Sequence, residues 1–278
     1  MIPMSKQHVV VMCLCFLAGG FVVYRLNTNQ PVTLVTKRPV TWKSIFDEPL
    51  NPDKTDCLIL FDKPKLDEDF YSPNYLKHRQ QLDAELKCIT EAEIEKGNNP
   101  SGIEGNSGLY KYQSRLYHWL AGRPWVNTIC ETGFNAGHST LQWLTGSDHA
   151  HVYSFDIGYH YYTRPMADYL NRTFPGRLHL TYGDSLMTVP RFADRHPEVK
   201  CDVILVDGGH SHSVAIGDLR NFRKLVNVER NVLVLDDTYM EPVSTAWIEA
   251  QAAGLTVQRF ACTDKSTFNR SYVVGYYV

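Results

Sequence analysis

The fold is decided by the stretch Val126-Asn-Thr-Ile-Cys-Glu131-Thr-Gly133-Phe-Asn135-Ala-Gly137-His-Ser139. Here an apolar, β-branched run ends in an acid and a glycine-containing turn. Two later segments also end an apolar run with an acid, namely His151-Val-Tyr-Ser-Phe-Asp156 and Cys201-Asp-Val-Ile-Leu-Val-Asp207. Because ligands in open α/β sheets bind outside the carboxyl ends of the strands, the pattern predicts that these acids line one functional edge of a parallel sheet.

Strand-like and helix-like segments alternate along the rest of the chain, which indicates a parallel sheet covered by helices on both faces. The predicted strands are 126–130, 151–156, 178–182, 202–206 and 231–235, and the predicted helices are 138–145, 163–173, 186–194, 212–225 and 243–253. The runs 255–261 and 271–278 are joined by a segment too short for a crossover helix, which predicts an antiparallel hairpin. The predicted fold class is therefore α/β, a Rossmann-like doubly wound, mostly parallel seven-stranded sheet with an antiparallel C-terminal hairpin strand.

The part of the chain before the first strand divides by composition. We predict a short N-terminal tail (residues 1–7), a transmembrane anchor (8–24), a proline-containing stem (25–70) and a main domain (71–278), with amphipathic helices in 73–121 and a cofactor-binding core in 126–278. Leucine and isoleucine recur at roughly helical intervals after Pro73, which favours an amphipathic helix there. The Gly- and Asn-rich segment 97–108 is interpreted as a connector, with a mobile lid as the alternative.

An uncharged, largely apolar run lies between Lys6 and Arg25. It is shorter than the roughly 20 residues that span a bilayer but long for the core of a signal peptide, which favours a single-pass anchor over a cleaved signal. Basic residues after the run favour a cytoplasmic carboxyl side, whereas the acceptor sequons at Asn171 and Asn269 are usable only in the secretory lumen. We expect a membrane-anchored protein with its main domain in the lumen of the endoplasmic reticulum or Golgi.

Composition excludes two broad classes of protein. The chain has 278 residues, 44% of them hydrophobic, which excludes an extended disordered chain. Its formal net charge of -2 lacks the excess of Lys and Arg that a phosphate backbone requires, so we expect no nucleic-acid partner. Seven cysteines without regular spacing predict neither a disulfide framework nor a paired-cysteine metal site. Cys130 and Cys201, inside predicted strands, are interpreted as small buried hydrophobic residues.

The turn after the first strand has the properties of a ligand-binding turn. Gly133 and Gly137 let the backbone pass close to a ligand, and the helix that begins near His138 offers free N–H groups to an anion. The fingerprint of nicotinamide dinucleotide sites has a second glycine where this chain has Asn135, so a dinucleotide fits less well.

Acids and a serine after the next two strands extend this predicted site. Asp156 closes the second strand, in the position where an acid accepts hydrogen bonds from ribose hydroxyls. Asp184 and Ser185 follow the third strand and are interpreted as contacts to an adenine, with helix capping by Asp184 as the alternative.

This combination resembles the class I S-adenosylmethionine-dependent methyltransferases, whose sheet ends in the same reversed strand. The likeness covers roughly residues 109–278, and the segment 131–139 is similar to the first motif of the catechol O-methyltransferase type. The resemblance implies that Glu131 and the two glycines surround the methionine part of the cofactor and that Ser139 holds its carboxylate. Asn135 departs from the pattern, because the catechol enzymes carry an aromatic residue there.

A second cluster of acids indicates the type of reaction. Asp207 ends the fourth strand, and Asp236 and Asp237 end the fifth. Neighbouring parallel strands bring these carboxylates together, and their repulsion is relieved by a hard divalent cation with oxygen ligands, so we expect Mg²⁺ or another divalent ion. The alternative is that Asp236 or Asp237 only caps the following helix.

His210 is the predicted general base. In the metal-dependent O-methyltransferases a lysine commonly stands three residues after the first metal-binding aspartate, and the resemblance to macrolide-sugar O-methyltransferases places His210 there. Its ordinary pKa of about 6.5 leaves the imidazole mostly neutral at pH 7 and able to accept a proton. His212, two residues later, is interpreted as a surface residue.

The sequence thus predicts a magnesium-dependent O-methyltransferase that uses S-adenosylmethionine. The expected acceptor is a hydroxyl of a vicinal diol or catechol, in a small molecule or a glycan, with a sugar hydroxyl preferred. The alternatives are a small-phenol or catechol methyltransferase, a noncatalytic binding or scaffold protein that kept the fold, and an enzyme of this fold with different chemistry.

Overall fold

A computed structural model of the protein describes residues 16–17, 20–21, 71–264 and 270–278. The described residues fall into two units, one within residues 1–49 and one within 50–278. In the first unit, strands β1 (Phe16–Leu17) and β2 (Gly20–Phe21) pair antiparallel.

The prediction of a single-pass membrane protein with a lumenal domain is wrong. Among the described residues, no helix is long and apolar enough to cross a membrane. Inside the predicted anchor at 8–24, the described residues form β1 and β2, which pair with each other. The other residues of the predicted tail, anchor and stem, and Asn269, lie outside the described residues.

The second unit alternates helices and strands in the predicted order. Its elements are α1 (Pro73–Glu95), a 3-10 helix (Ser107–Leu109), α2 (Lys111–Ala121), β3 (Thr128–Thr132), α3 (His138–Gly146), β4 (His151–Asp156), α4 (Thr163–Thr173), β5 (Leu178–Tyr182), α5 (Ser185–Arg195), β6 (Val203–Val206), α6 (His212–Phe222), β7 (Val232–Leu235), α7 (Glu241–Ala252), β8 (Thr256–Asp264) and β9 (Arg270–Tyr277).

The strands form a seven-stranded sheet in the order β5-β4-β3-β6-β7-β9-β8. All neighbouring pairs from β5 to β7 are parallel, and β9 runs antiparallel to both β7 and β8. The predicted fold class is confirmed. The strand order reverses between β3 and β6, and the crevice at such a point is where ligands bind in this class of sheet.

The central strands are buried on both faces. Every residue of β6 and β7 is buried, which is why both read as uninterrupted apolar runs rather than alternating ones. On one face Phe222, Leu219 and Trp247, from helices α6 and α7, pack into the same hydrophobic cluster as these strands. The strand ends are thereby held in fixed positions.

Helices α1 and α2, which both precede the central sheet, have capped N-termini. Ser72 caps α1 by accepting a hydrogen bond from the Tyr75 N–H, and α1 packs against α3 and α4. The carboxylate of Asp264, at the end of β8, accepts hydrogen bonds from the N–H groups of Tyr112 and Gln113 at 2.8 and 3.0 Å. The C-terminal hairpin therefore caps α2, whose own cap residue Tyr110 makes no capping hydrogen bond through its side chain.

Cys130 and Cys201 are buried, as the sequence suggests, but they are joined in a disulfide. Their Cα atoms are 5.8 Å apart, and 71 residues separate them along the chain. The interpretation as unpaired hydrophobic residues is wrong because β3 and β6 are neighbours in the sheet although they are distant in sequence.

Candidate active site

A cavity of about 510 Å³ opens at the carboxyl ends of the parallel strands. Its walls come from the turns after β3, β4, β5, β6 and β7, from the segment before α2, and from the start of β9. Ten of the predicted site residues line this cavity: Gly133, Asn135, Ser139, Asp156, Asp184, Ser185, Asp207, His210, Asp236 and Asp237.

The turn after β3 passes very close to the next strand end. A Cβ on Gly133 would lie 1.9 Å from the carbonyl oxygen of Asp207, and the φ of +88° is in the left-handed region, so only glycine fits. Asn135 also has a left-handed φ, of 54°. Its N–H donates to Asp156 Oδ2 at 2.8 Å, while Asp156 Oδ1 accepts from the Gly158 N–H at 2.7 Å. Asp156 thus fixes the turn.

Helix α3 begins at the cavity wall. Its cap residue is Gly137, in the left-handed conformation, and no side chain caps the helix. The first N–H groups of a helix have no partner within it and favour an anion. Ser139, in the first turn of α3, also lines the cavity.

Glu131 lies behind the turn, and its side chain is not part of the cavity wall. Its carboxylate is buried and accepts hydrogen bonds from the Thr140 hydroxyl and, at 2.9 Å, from Trp143 Nε1. Burial raises the pKa of this carboxyl, and the hydrogen bonds oppose the rise. In this arrangement Glu131 ties α3 to β3.

Asp184 is a helix cap in the structure, and its predicted contact to an adenine stays a prediction. It caps α5 by accepting a hydrogen bond from the Leu186 N–H at 2.9 Å, and it also lines the cavity next to Ser185. Because both residues lie beyond β5, they form the end of the cavity farthest from the acidic cluster along the strand order.

The acidic cluster lies at the ends of β6 and β7. Asp207, His210 and Asp237 each offer one ligand atom, and these atoms lie within 4.8 Å of one another. Loss of solvent raises the pKa of Asp207 well above its ordinary value, and the negative charges of Asp236 and Asp237 raise it further. Unrelieved repulsion between carboxylates is what a bound cation would remove.

Asp236 is not one of that group of three, and both of its carboxylate oxygens accept other hydrogen bonds. Its Oδ2 accepts a hydrogen bond from Gln113 Nε2 at 2.5 Å, and its Oδ1 accepts from the Asp237 N–H at 2.8 Å. Burial raises the pKa of Asp236, and the neighbouring charge of Asp237 adds to the rise. Gln113 is therefore a site residue that sequence reasoning missed.

Asp237 is held from both sides. Its Oδ2 lies 2.9 Å from His210 Nε2, and its Oδ1 accepts a hydrogen bond from Arg270 Nη1. The backbone of Asp237 is in the left-handed region with a φ of 55°, a conformation that costs free energy in a residue other than glycine and is concentrated at functional sites. The hydrogen bond that His210 donates to Asp237 raises the pKa of His210, and burial opposes that rise.

Arg270 is a second residue that sequence reasoning missed. It begins β9, which pairs antiparallel with β7, so the start of β9 lies beside the end of β7. The predicted hairpin contained this information, because reversing the last strand brings its first residue to the functional edge. His212, in contrast, pairs with Glu249 at 3.0 Å and does not line the cavity.

The segment 97–108 does more than connect α1 to α2. The Glu104 carboxylate lies 3.0 Å from His160 Nε2, and the Glu104 N–H donates to the Tyr162 hydroxyl at 3.2 Å. The Asn135 side-chain amide donates to the Glu104 carbonyl. The segment thus lies along one wall of the cavity and contacts the turn after β3.

Comparison with known proteins agrees with this geometry. Residues 130–238 match a family model described as a methyltransferase domain. The chain carries a methyltransferase domain. The match runs from the strand before the glycine turn to the residue after Asp237, so it spans both halves of the cavity. No curated protein sequence matches the chain.

Solved methyltransferase structures share the fold. The O-methyltransferase from Bacillus cereus in complex with SAH is 12% identical, with a TM-score of 0.51, covering 69% of this chain and 90% of that one. The O-methyltransferase TomG from Streptomyces achromogenes in complex with SAM is 14% identical, with a TM-score of 0.54 and coverage of 70% and 89%. The SAH-bound methyltransferase PaMTH1 from Podospora anserina is 11% identical, with a TM-score of 0.52 and coverage of 71% and 87%.

The family match and the fold confirm the class predicted from the sequence, a class I S-adenosylmethionine-dependent methyltransferase similar to the O-methyltransferases. The roles predicted for individual residues remain hypotheses.

Proposed function

We propose that this protein transfers the methyl group of S-adenosylmethionine to a hydroxyl oxygen of its acceptor, with a divalent cation, Mg²⁺ by preference, at the acidic cluster. The observation that carries the proposal is the approach of Asp207, His210 and Asp237 to within 4.8 Å at the wall of the cavity. The proposed metal site and the proposed proton acceptor, His210, would therefore lie in the same cavity as the turn after β3 that suits the cofactor.

The cofactor half of the cavity suits S-adenosylmethionine. The free N–H groups of α3 and the Ser139 hydroxyl fit the methionine carboxylate, and Asp156 fits the ribose hydroxyls. Asp184 and Ser185, which line the cavity beyond β5, are the proposed contacts to the adenine. Glu131 supports this half indirectly through its hydrogen bond to Trp143 on α3.

The donor set fits a divalent cation. Asp207 and Asp237 would hold the ion, with Asp236 as the predicted third carboxylate once its bond to Gln113 opens. A bound divalent ion would lower the pKa of an acceptor hydroxyl, as it does for bound water. Carboxylate oxygens are the ligands that Mg²⁺ prefers.

His210 is the proposed general base. With Nε2–H donated to Asp237, Nδ1 is the nitrogen that can accept a proton. The acceptor O–H bond breaks as its proton moves to Nδ1, the oxygen forms a bond to the methyl carbon, and the carbon–sulfur bond breaks to leave S-adenosylhomocysteine. A neighbouring carboxylate that fixes the tautomer of a catalytic histidine is a recurring arrangement.

The acceptor is proposed to carry adjacent hydroxyl oxygens, as in a sugar or glycan, with a catechol or other small phenol as the alternative. The tyrosine rings of Tyr110 and Tyr239 flank Arg270 beside the acidic cluster. Aromatic walls accept the apolar face of a sugar ring as well as a phenol, and the resemblance to macrolide-sugar enzymes favours the sugar.

The test is methyl transfer from labelled S-adenosylmethionine to a panel of glycans, simple sugars and catechols, with mass spectrometry of the products. Activity is expected with Mg²⁺ and should be lost after chelation and restored by added Mg²⁺. If S-adenosylhomocysteine forms at the same rate with and without the chelator, the proposed ion site is contradicted. Binding of S-adenosylmethionine without any turnover on the panel would favour a noncatalytic role.

A further inference from the structure

Arg270 places a fixed positive charge beside the acidic cluster. Its Nη1 donates to Asp237 Oδ1, and its guanidinium lies 5.0 Å from the centre of the Tyr110 ring and 5.7 Å from that of Tyr239. The side chain is 22% exposed. Two flanking rings and a carboxylate restrict the guanidinium to a narrow range of orientations.

This charge has no counterpart elsewhere in the wall. Among the described residues that line the cavity, Arg270 is the only arginine or lysine. Asp207, Asp236 and Asp237 together carry three negative charges when ionised. A divalent cation supplies two positive charges, and Arg270, which stays protonated in proteins, supplies the third.

We propose that Arg270, acting through its ion pair with Asp237, completes the charge balance of the ion site. The inference rests on the proposed function. Without Arg270 the occupied site would carry a net negative charge. The ion would then bind more tightly, because the repulsion between it and the guanidinium is gone. The same excess of negative charge would make the acceptor hydroxyl harder to deprotonate, so tighter ion binding and slower turnover should occur together.

Three variants test the inference. Arg270→Met removes the charge and keeps much of the side-chain length, Arg270→Lys keeps the charge, and Arg259→Met is the matched control on the same hairpin. Arg259 lies 5.4 Å from the Tyr276 ring and does not line the cavity. Titration calorimetry with Mg²⁺ and with Mn²⁺ gives ion affinity without any reaction, and methyl transfer gives kcat and KM.

We expect Arg270→Met to bind the ion at least about threefold more tightly while kcat falls at least about tenfold, because a nearby positive charge is removed. The KM for S-adenosylmethionine should stay unchanged. Arg270→Lys should bind the ion within about twofold of the wild type, since the charge is kept, with an intermediate kcat. Arg259→Met should match the wild type in every measurement.

Weaker or unchanged ion binding by Arg270→Met in a metal-dependent wild type would overturn the role of Arg270 alone. A wild-type protein that binds no divalent ion, or transfers methyl groups without one, would overturn both this inference and the proposed ion site. If circular dichroism shows that Arg270→Met does not fold, the ion affinity of Arg270→Lys is the deciding measurement. An affinity equal to that of the wild type supports the inference, and a large loss of affinity contradicts it.

Discussion

The cavity has two halves that are assembled in different ways. In the cofactor half, the lining residues from Gly133 to Ser185 come from three successive strand–turn–helix units, so each is close in sequence to the strand that positions it. In the acidic half, Asp237 meets Arg270 from the last strand, and Asp236 meets Gln113 from a helix that precedes the whole sheet. Local sequence therefore positions the predicted cofactor-binding residues, whereas the environment of the predicted metal-binding acids depends on long-range contacts.

The largest effect is expected at Asp237, where the contacts of the acidic half converge. Asp237→Ala should abolish both divalent-ion binding and methyl transfer, because it removes a ligand and leaves His210 and Arg270 without their shared partner. Calorimetry with Mg²⁺ and an activity assay measure the two losses. Affinity for S-adenosylmethionine should remain, and an unchanged response of activity to a chelator would contradict the ion site.

The next effect separates the two neighbouring histidines. His210→Ala should lower kcat by about 10²- to 10⁴-fold, the usual contribution of a general base, with little change in cofactor affinity. His212→Ala, which removes only the surface pair with Glu249, is the matched control and should leave kcat unchanged. Equal losses of kcat and of cofactor affinity in His210→Ala would remove His210 as the base.

A smaller effect tests the cofactor half. Asp156→Ala removes the acceptor of the Asn135 and Gly158 N–H groups as well as the proposed ribose contact. We expect affinity for S-adenosylmethionine to fall by about 10- to 100-fold, since a hydrogen bond to a charged group contributes about 1.5–3 kcal/mol. Calorimetry with the cofactor measures this, and ion affinity should be retained. A parallel loss of ion binding would show that the two halves are not independent.

The disulfide between Cys130 and Cys201 joins the two halves, because it links β3 of the cofactor half to the segment just before β6 in the acidic half. Replacing both cysteines with Ala should lower the free energy of unfolding by about 2–4 kcal/mol, the usual contribution of such a cross-link. Urea denaturation measures the change. At temperatures where the variant stays folded, kcat should be close to that of the wild type, and a large loss of activity there would mean that the bond also shapes the site.

Much of the fold was predictable because its signals are local. The ranges of β4, α4 and β5 match those expected from the sequence, since each is bounded by a clear change of pattern. The first strand was expected at 126–130 and is found at 128–132. The N–H groups of Asn127 and Thr128 donate to the Asp202 carboxylate, a side-chain contact from another strand that periodicity cannot reveal.

The sequence by itself determined the α/β class, the reversed last strand and the acids at the strand ends, because hydrophobic periodicity and glycine turns act over a few residues. Only the tertiary structure decided the partners of those acids: Gln113 on Asp236, Arg270 on Asp237, and Trp143 on Glu131. The Cys130–Cys201 bond was decided in the same way. These pairs are separated in the chain and meet through strand order and helix packing, so no local pattern records them.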